Sequence, residues 1–253
     1  MDIQGKTALV AGGTSGLGLG VVRDLAARGA NVMVLGRRAE LAAQIAADLG
    51  NAIGVGADIA DSEAAAIEAA VERFGGIHIN VNTAGVIDTV RLVADNGEPT
   101  DVAAFIRVVD TNLVGTFNVM SQSAAVMLRN EPDADGERGV IVNTSSDAAY
   151  DGTTGMAWYS ATKAALVGMT LPAAREFAGR GIRVNTIVAG GFDTPIFDGY
   201  TTDDAIAEQV TLFVNPRRLG RPEEFAAFAA HIVENGYFNA AAPRLDAGYR
   251  IPL

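Results

Sequence analysis

The chain has 253 residues, no cysteine and a formal net charge of −11 at pH 7. A chain of this length can bury about three quarters of its unfolded surface in one core, so we expect a single domain spanning residues 1–253. The negative charge disfavours binding to nucleic acid, and the lack of cysteine excludes disulfides, thiolate catalysis and cysteine-bound metal.

The sequence predicts neither a membrane segment nor a secretion signal. No apolar segment of about 18 residues or more occurs, and Lys6 interrupts the N-terminal region before a signal-peptide core can form. We therefore expect a soluble protein of the cytoplasm with no membrane partner. His78 and His231 have no histidine close by in the sequence, so we expect structural roles for both and no metal site.

The first predicted elements are a strand, a glycine turn and a helix. The apolar run Thr7–Ala11 predicts a buried strand, and residues 21–28 predict a helix. The turn between them offers free backbone N–H groups and the positive end of a helix dipole, which together suit the pyrophosphate of a dinucleotide. The candidate binding residues of this turn are Gly12, Thr14, Ser15, Gly16, Leu17 and Gly18.

Two other interpretations of this glycine turn exist. Glycines also serve tight turns that bind no ligand. A kinase-type phosphate loop ends in a lysine followed by serine or threonine, whereas Leu19 and Gly20 follow Gly18 here. The sequence therefore favours a dinucleotide site, with a ligand-free turn as the alternative.

Further apolar runs begin near Val32, Ala52, Ile77, Val140 and Val184 and alternate with helical stretches. This alternation predicts a doubly wound, Rossmann-like α/β fold with a mainly parallel sheet and helices on both faces. The cofactor half is expected at about residues 1–145 and the catalytic and substrate half at about residues 146–253. Two polar, turn-rich stretches, 96–101 and 130–139, are predicted to be surface loops.

The most informative pair of side chains is Tyr159 and Lys163. Positions four residues apart on a helix share a face, so both side chains can project into one pocket. A nearby ammonium stabilises phenolate, so Lys163 is expected to lower the tyrosine pKa from its ordinary value of about 10. Ser146, upstream of this pair, is a candidate donor to a developing oxyanion. The alternative is a packed ring beside a solvated charge.

The phosphate cradle and the proton donor together indicate one chemistry. No side chain can donate a hydride, so a protein with both features suits a nicotinamide oxidoreductase. Tyr159 would then exchange a proton with the substrate oxygen, while hydride moves to or from the carbinol carbon.

These residues and several others, in the same order, resemble the motifs of the short-chain dehydrogenase/reductase family. The resemblance extends from about residue 5 to residue 246. It includes the glycine turn, Asp58-Ile59, Asn82-Thr83-Ala84-Gly85, Asn112, Ser146, the Tyr159 and Lys163 pair, and Thr194-Pro195. The resemblance implies a Rossmann-like fold and an oxidoreductase that acts on a secondary alcohol or ketone with a nicotinamide cofactor.

The family resemblance implies a role for each matching residue. Ser146 would orient the substrate oxygen, Tyr159 would transfer the proton, and Lys163 would bind the nicotinamide ribose. Asn112 would hold a water that relays protons. The expected cofactor contacts are Asp58 and Ile59 for adenine, Asn82, Thr83, Ala84 and Gly85 along the cleft, and Phe192 and Thr194 beside the nicotinamide carboxamide.

Longer strings resemble one branch of this family, the type 2 3-hydroxyacyl-CoA dehydrogenases, also called type 10 17β-hydroxysteroid dehydrogenases. The matching strings are residues 115–119, 130–133, 168–172 and 244–246, together with the polar insertion 91–102. This resemblance implies a 3-hydroxyacyl-CoA or a hydroxysteroid as the substrate type. The wider family resemblance implies a homotetramer. A cofactor-sensing protein without turnover is the alternative, although no member of the catalytic set is missing.

One departure from that branch concerns the cofactor. In the branch, the second strand ends in an aspartate that binds the ribose hydroxyls and favours NAD. Here Gly36, Arg37 and Arg38 follow the strand, so no carboxylate repels a 2′-phosphate and two guanidiniums can pair with one. We therefore predict NADP over NAD, with two solvated arginines at a helix entrance as the alternative.

The segment after Thr194 carries apolar residues that could cover a hydrophobic substrate. They are Ile196, Phe197, Tyr200, Leu212, Phe213 and Val214. The alternative is an amphipathic helix packed on the core. Arg217, Arg218 and Arg221 follow, and they either attract a phosphate of CoA or are solvated.

Overall fold

Seven parallel strands form one sheet in the computed structural model, which describes residues 1–61, 64–197 and 202–251. The order across the sheet is β3-β2-β1-β4-β5-β6-β7, and every pair of neighbours is parallel. The prediction of a doubly wound, mainly parallel sheet is therefore confirmed. The strands are β1 (Thr7–Ala11), β2 (Asn31–Gly36), β3 (Ala52–Gly56), β4 (Ile79–Asn82), β5 (Gly139–Ser146), β6 (Ile182–Ala189) and β7 (Arg244–Leu245).

Helices cover both faces of this sheet. On one face, buried residues of α1, α2 and α8 share a core with the strands, and on the other face residues of α3, α5 and α6 do so. The helices are α1 (Gly16–Ala27), α2 (Ala39–Leu49), α3 (Ala64–Phe74), α4 (Val102–Val109), α5 (Thr116–Met127), α6 (Ala157–Glu176), α7 (Asp203–Thr211) and α8 (Pro222–Glu234).

The central strands are apolar along their whole length because both of their faces are covered. All five residues of β1 are buried. Ala8 and Val10 point into the core beneath α1 and α8, whereas Leu9 and Ala11 point into the opposite core. Such continuous apolar runs are typical of a parallel sheet between two helical layers.

The strand order reverses between β1 and β4, which are neighbours in the sheet although two strands separate them in the chain. In an open α/β sheet, the loops that leave the strands at such a point diverge to opposite faces and open a crevice at the carboxyl ends of the strands. The glycine turn follows β1 and residues 83–85 follow β4, so both predicted cofactor segments lie at this crevice.

One element boundary differs from the predicted one, and one short strand was not predicted. Helix α1 begins at Gly16, five residues before its predicted start. The sequence predicts a later start because glycine has a poor helix propensity, whereas in the fold these glycines permit close packing. A Cβ on Gly20, for example, would stand 2.9 Å from the carbonyl oxygen of Pro222 on α8. The short strand β7 carries no apolar run and was not predicted, yet it pairs with β6 through Val188 and Arg244.

The two histidines have structural surroundings. Nδ1 of His78 accepts a hydrogen bond from the backbone N–H of Thr7 at 3.2 Å. Burial, reinforced by the charge of Lys6, lowers the pKa of His78 to about 4, so the ring is neutral. The His231 ring stacks on Phe228. Within the ranges that the structure describes, no group of three or more acidic or histidine side chains could hold a metal ion.

Helix α4, a π-helical turn (Asp110–Gly115) and α5 form one continuous helical run, Val102–Met127. By length and composition alone this run could cross a membrane, a criterion that core helices of water-soluble proteins also meet. One side of the run packs on the sheet, where Val119, Met120 and Met127 belong to the core.

Candidate active site

Two adjoining cavities occupy the crevice at the carboxyl ends of the strands. The first, of about 530 Å³, lies over the glycine turn, and the second, of about 250 Å³, lies beside Tyr159 and Lys163. Both cavities are lined by Leu17, Thr83, Gly85, Val86, Thr194 and Ile196. The predicted phosphate cradle and the predicted proton donor therefore open into one continuous cleft.

The glycine turn has no room for side chains. Gly12 has a φ of 80°, and a Cβ there would stand 2.6 Å from the backbone nitrogen of Ala84. A Cβ on Gly18 would overlap the carbonyl of Gly12. Ser15 is the N-cap of α1 but makes no side-chain capping hydrogen bond, so the first N–H groups of the helix stay available to a ligand. This cradle fits the pyrophosphate of a dinucleotide.

Both predicted arginines line the first cavity, together with Thr14, Gly36, Asp58 and Ile59. Nη2 of Arg38 stands 3.4 Å from Oγ1 and 3.5 Å from the carbonyl oxygen of Thr14, so this guanidinium lies against the glycine turn. A Cβ on Gly36 would approach Cγ2 of Thr14 to 2.9 Å. The end of β2 therefore presents two cations and no carboxylate to the ribose region of the cavity.

Thr83, Ala84 and Gly85 line the cleft as predicted, whereas Asn82 does not. The Asn82 side chain is buried within the sheet, and its Nδ2 donates to Oδ1 of Asn80 and Oδ1 of Asn143, both at 2.8 Å. At the end of β4, the Asn82 side chain therefore links β4 to β5 by a hydrogen bond and does not line the cleft.

Tyr159 and Lys163 lie on one face of α6, as their spacing predicts, and both line the second cavity. Each side chain is buried, with 5% of its residue surface exposed. Nζ of Lys163 stands over the Tyr159 ring, 5.7 Å from its centroid, and donates to the carbonyl oxygen of Thr144 at 3.0 Å. The ring packs with Trp158, Ile87 and Ala148. The interpretation of Lys163 as a solvated charge is therefore wrong.

The expected lowering of the tyrosine pKa is also wrong for this arrangement. Burial raises the pKa of Tyr159 above its ordinary value, a hydrogen bond with Ser146 opposes the shift, and the charge of Asp147 adds to it. The Lys163 ammonium stands over the ring, so it does not offset the cost of burying a phenolate. Burial also lowers the pKa of Lys163 to about 8. Desolvation outweighs the attraction between the two groups.

Ser146 ends β5 and lines the second cavity. Its hydroxyl donates to Oδ1 of Asp147 at 2.8 Å and accepts a hydrogen bond from the Ala148 N–H at 3.2 Å. Asp147 also lines this cavity, although no motif in the sequence indicates it. The available signal was its position, since an acidic residue directly follows the candidate serine at the carboxyl end of a predicted strand.

Asn112 is fully buried in the π-helical turn, and it lines neither cavity. Its Oδ1 accepts from the N–H of Val86 at 2.8 Å, and its Nδ2 donates to the carbonyl of Val86 at 2.9 Å. A Cβ on Gly85 would lie 3.2 Å from Oδ1 of Asn112 and 3.3 Å from Nζ of Lys163. Asn112 therefore fixes the loop after β4 against the lysine.

The segment after β6 completes the second cavity. Phe192, Thr194 and Ile196 line it. Tyr200 lies outside the described residues. Phe213 is buried against Tyr249, whereas Leu212 and Val214 are exposed. Two of the three arginines proposed for CoA are engaged elsewhere, because Arg218 and Arg221 pair with Glu224 in the first turn of α8.

Comparisons with known proteins agree with this geometry. The family model described as short chain dehydrogenase matches residues 6–205. The 3-hydroxyacyl-CoA dehydrogenase type-2 of Drosophila melanogaster is 40% identical, over 98% of this chain and 99% of the relative. The human protein of the same name is 39% identical, over 99% and 97%. The crystal structure of 3-hydroxyacyl-CoA dehydrogenase type-2 from Mycobacterium avium superposes with a TM-score of 0.92 at 37% identity, over 98% and 97%.

A family match thus covers most of the sequence. It includes the glycine cradle and the serine, tyrosine and lysine of the second cavity. This chain belongs to the short-chain dehydrogenase family, whose members are nicotinamide-dependent oxidoreductases acting on CH–OH groups.

Proposed function

We propose that the protein is an NADP-dependent secondary-alcohol dehydrogenase or ketone reductase. The observation that carries this proposal is the single cleft that joins the glycine cradle to Ser146, Tyr159 and Lys163. The bound nicotinamide cofactor supplies the hydride acceptor or donor, so that a secondary alcohol and oxidised cofactor become a ketone, reduced cofactor and a proton.

The protein side chains handle the proton and the substrate oxygen. Burial keeps the Tyr159 phenol protonated near neutral pH, so its hydroxyl carries the proton that passes to the oxygen of a ketone. In the opposite direction the same oxygen, once deprotonated, accepts the proton of the alcohol. The Ser146 hydroxyl holds the substrate oxygen once it turns from Asp147. The Lys163 Nζ lies between the ring and the loop at Gly85, where it suits the nicotinamide ribose.

The choice of NADP rests on the end of β2. Arg37 and Arg38 line the first cavity beside Gly36, and no carboxylate from this strand end opposes a 2′-phosphate. Guanidinium and phosphate form bidentate, charge-assisted hydrogen bonds. NAD is the alternative cofactor.

The proposed substrate type is a 3-hydroxyacyl-CoA, after the names of the relatives, with a hydroxysteroid as the second type. A panel of secondary alcohols and ketones, including 3-hydroxybutyryl-CoA and a hydroxysteroid, is to be tested with both cofactors by nicotinamide absorbance. We expect turnover with at least one member. A silent panel together with measurable cofactor binding would instead support the sensor without turnover.

We further propose a cytoplasmic homotetramer. Large apolar side chains are exposed along α4, the π-helical turn, α5 and α6, where an isolated chain would leave them in water. They are Val102, Ile106, Val114, Phe117 and Leu171. Sedimentation equilibrium is expected to give the mass of four chains, and a mass of one chain would contradict this proposal.

A further inference from the structure

The second cavity contains polar groups that the proposed reaction does not use. Most of its wall is apolar, and its volume of about 250 Å³ suits a small substrate portion. Besides the catalytic side chains, Asp147, Gln209 and Tyr249 line it. Burial raises the pKa of Tyr249, the charge of Asp147 adds to this rise and a hydrogen bond with Gln209 opposes it, so these three groups lie close together.

Asp147 is 7% exposed, and its two carboxylate oxygens have different surroundings. Oδ1 accepts hydrogen bonds from the Ser146 hydroxyl and the Ala148 N–H, both at 2.8 Å. Oδ2 accepts none from the part of the chain that the structure describes. Asp147 itself lines the second cavity.

The guanidinium of Arg244 compensates this carboxylate only in part. The charge of Arg244 reaches Asp147, but Arg244 already pairs with Asp151 at 2.6 Å and with Asp246 at 2.5 Å. Burial is accordingly the largest influence on the pKa of Asp147 and raises it. A buried carboxylate oxygen without a donor costs free energy, which a ligand that brings a donor recovers.

We propose that Asp147 is a specificity-determining residue that accepts a hydrogen bond from a second hydroxyl or an ammonium group of the substrate, next to the reacting carbinol. The second group is placed next to the carbinol because Asp147 directly follows Ser146 in the chain and both residues line the second cavity. This inference rests on the proposed alcohol dehydrogenase activity but not on the acyl-CoA substrate type. A thioester carbonyl, which only accepts hydrogen bonds, is a poor partner for Oδ2.

The test compares four substrates with one ring skeleton: cyclohexanol, 1,2-cyclohexanediol, 2-aminocyclohexanol and 2-methoxycyclohexanol. For each, kcat/KM is measured with NADP and divided by the value for cyclohexanol. We expect a ratio of about ten or more for the diol or the amino alcohol, since hydrogen bonds to charged groups are the strong ones. The methoxy compound, which has no donor on its second oxygen, is expected near or below one. The two donor compounds separate a hydroxyl from an ammonium ligand.

Asp147→Asn is the matched variant. Its amide oxygen can still accept from Ser146 and Ala148, while an NH₂ group replaces the Oδ2 acceptor. We expect the diol and amino alcohol ratios to fall about tenfold and the methoxy ratio to rise. Asp135→Asn is the control, because it removes an exposed negative charge from a surface loop that lines neither cavity, and it should leave the ratios unchanged. Calorimetric dissociation constants of the same compounds, in a Tyr159→Phe background loaded with NADP, should follow the same order.

The outcomes separate this inference from the proposed function. Ratios near one in the unmodified protein would overturn the inference without any variant, and so would ratios that Asp147→Asn leaves unchanged. In both cases turnover of cyclohexanol would preserve the proposed activity. No turnover with any alcohol or ketone, under either cofactor, would overturn the proposed function and this inference together.

Discussion

Replacement of Tyr159 by phenylalanine is expected to lower kcat by about 10²- to 10⁴-fold, the usual contribution of a positioned proton donor. The ring can keep its packing with Trp158, Ile87 and Ala148, because only the hydroxyl is removed. The dissociation constant of the cofactor is expected to change by less than about threefold, since phosphate binding depends on the glycine cradle. Stopped-flow and steady-state absorbance measure turnover, and fluorescence titration measures cofactor binding.

The pH dependence gives a second measurement for the same variant. Burial raises the pKa of Tyr159, so the neutral phenol dominates near neutral pH. Alcohol oxidation needs the deprotonated oxygen and is therefore expected to accelerate as the pH rises, while ketone reduction uses the phenol directly. The phenylalanine variant should lose this acceleration. Tyr237→Phe, at a fully exposed residue, is the control. Turnover of Tyr159→Phe equal to that of the unmodified protein would refute the assigned role.

Replacement of Arg37 by alanine is expected to weaken NADP binding by about tenfold or more, while NAD binding changes little. A charge-assisted hydrogen bond contributes about 1.5–3 kcal/mol, and about 1.4 kcal/mol corresponds to tenfold in affinity. Arg37 is a cleaner test than Arg38, because Arg38 also contacts Thr14 and its loss would disturb the glycine turn itself. The measured quantity is the ratio of the dissociation constants of the two cofactors.

Arg129→Ala is the matched control, since it removes an exposed arginine after α5 that lines neither cavity. An equal loss of NADP and NAD affinity in Arg37→Ala would show that the arginine does not bind the 2′-phosphate. Tighter NAD than NADP binding by the unmodified protein would reject the cofactor preference outright.

The sheet was predictable because its central strands are buried on both faces, and the resulting apolar runs are readable without structural context. Elements whose stability comes from tertiary contacts were not predictable from the sequence. The start of α1 consists of glycines that are poor helix formers, and it is held by packing such as that of Gly20 against Pro222. Strand β7 contains only Arg244 and Leu245, which carry no periodic pattern, and exists because β6 offers it an edge.

In the candidate site, too, features set by local geometry were predictable and features set by tertiary contacts were not. The spacing of Tyr159 and Lys163 was sufficient to place both on one face, because helical geometry alone determines that. The direction of the tyrosine pKa was not predictable, since it depends on how much burial opposes the lysine. Asn82 and Asn112 matched motifs by position, but their amides are used to tie strands and loops together. Asp147 belongs to no motif that was recognised, and only the cavity shows its place.

The π-helical turn between α4 and α5 limits which mutations this segment of the protein can tolerate. A π turn closes its hydrogen bonds over one residue more than an α turn, and each residue turns a helix by about 100°. Deleting one codon within residues 110–115 would let a regular α-helix form and would swing Asn112 away from Val86, to which it is bonded twice. Homologous sequences that keep this loop in place should therefore tolerate substitutions in the segment far better than insertions or deletions.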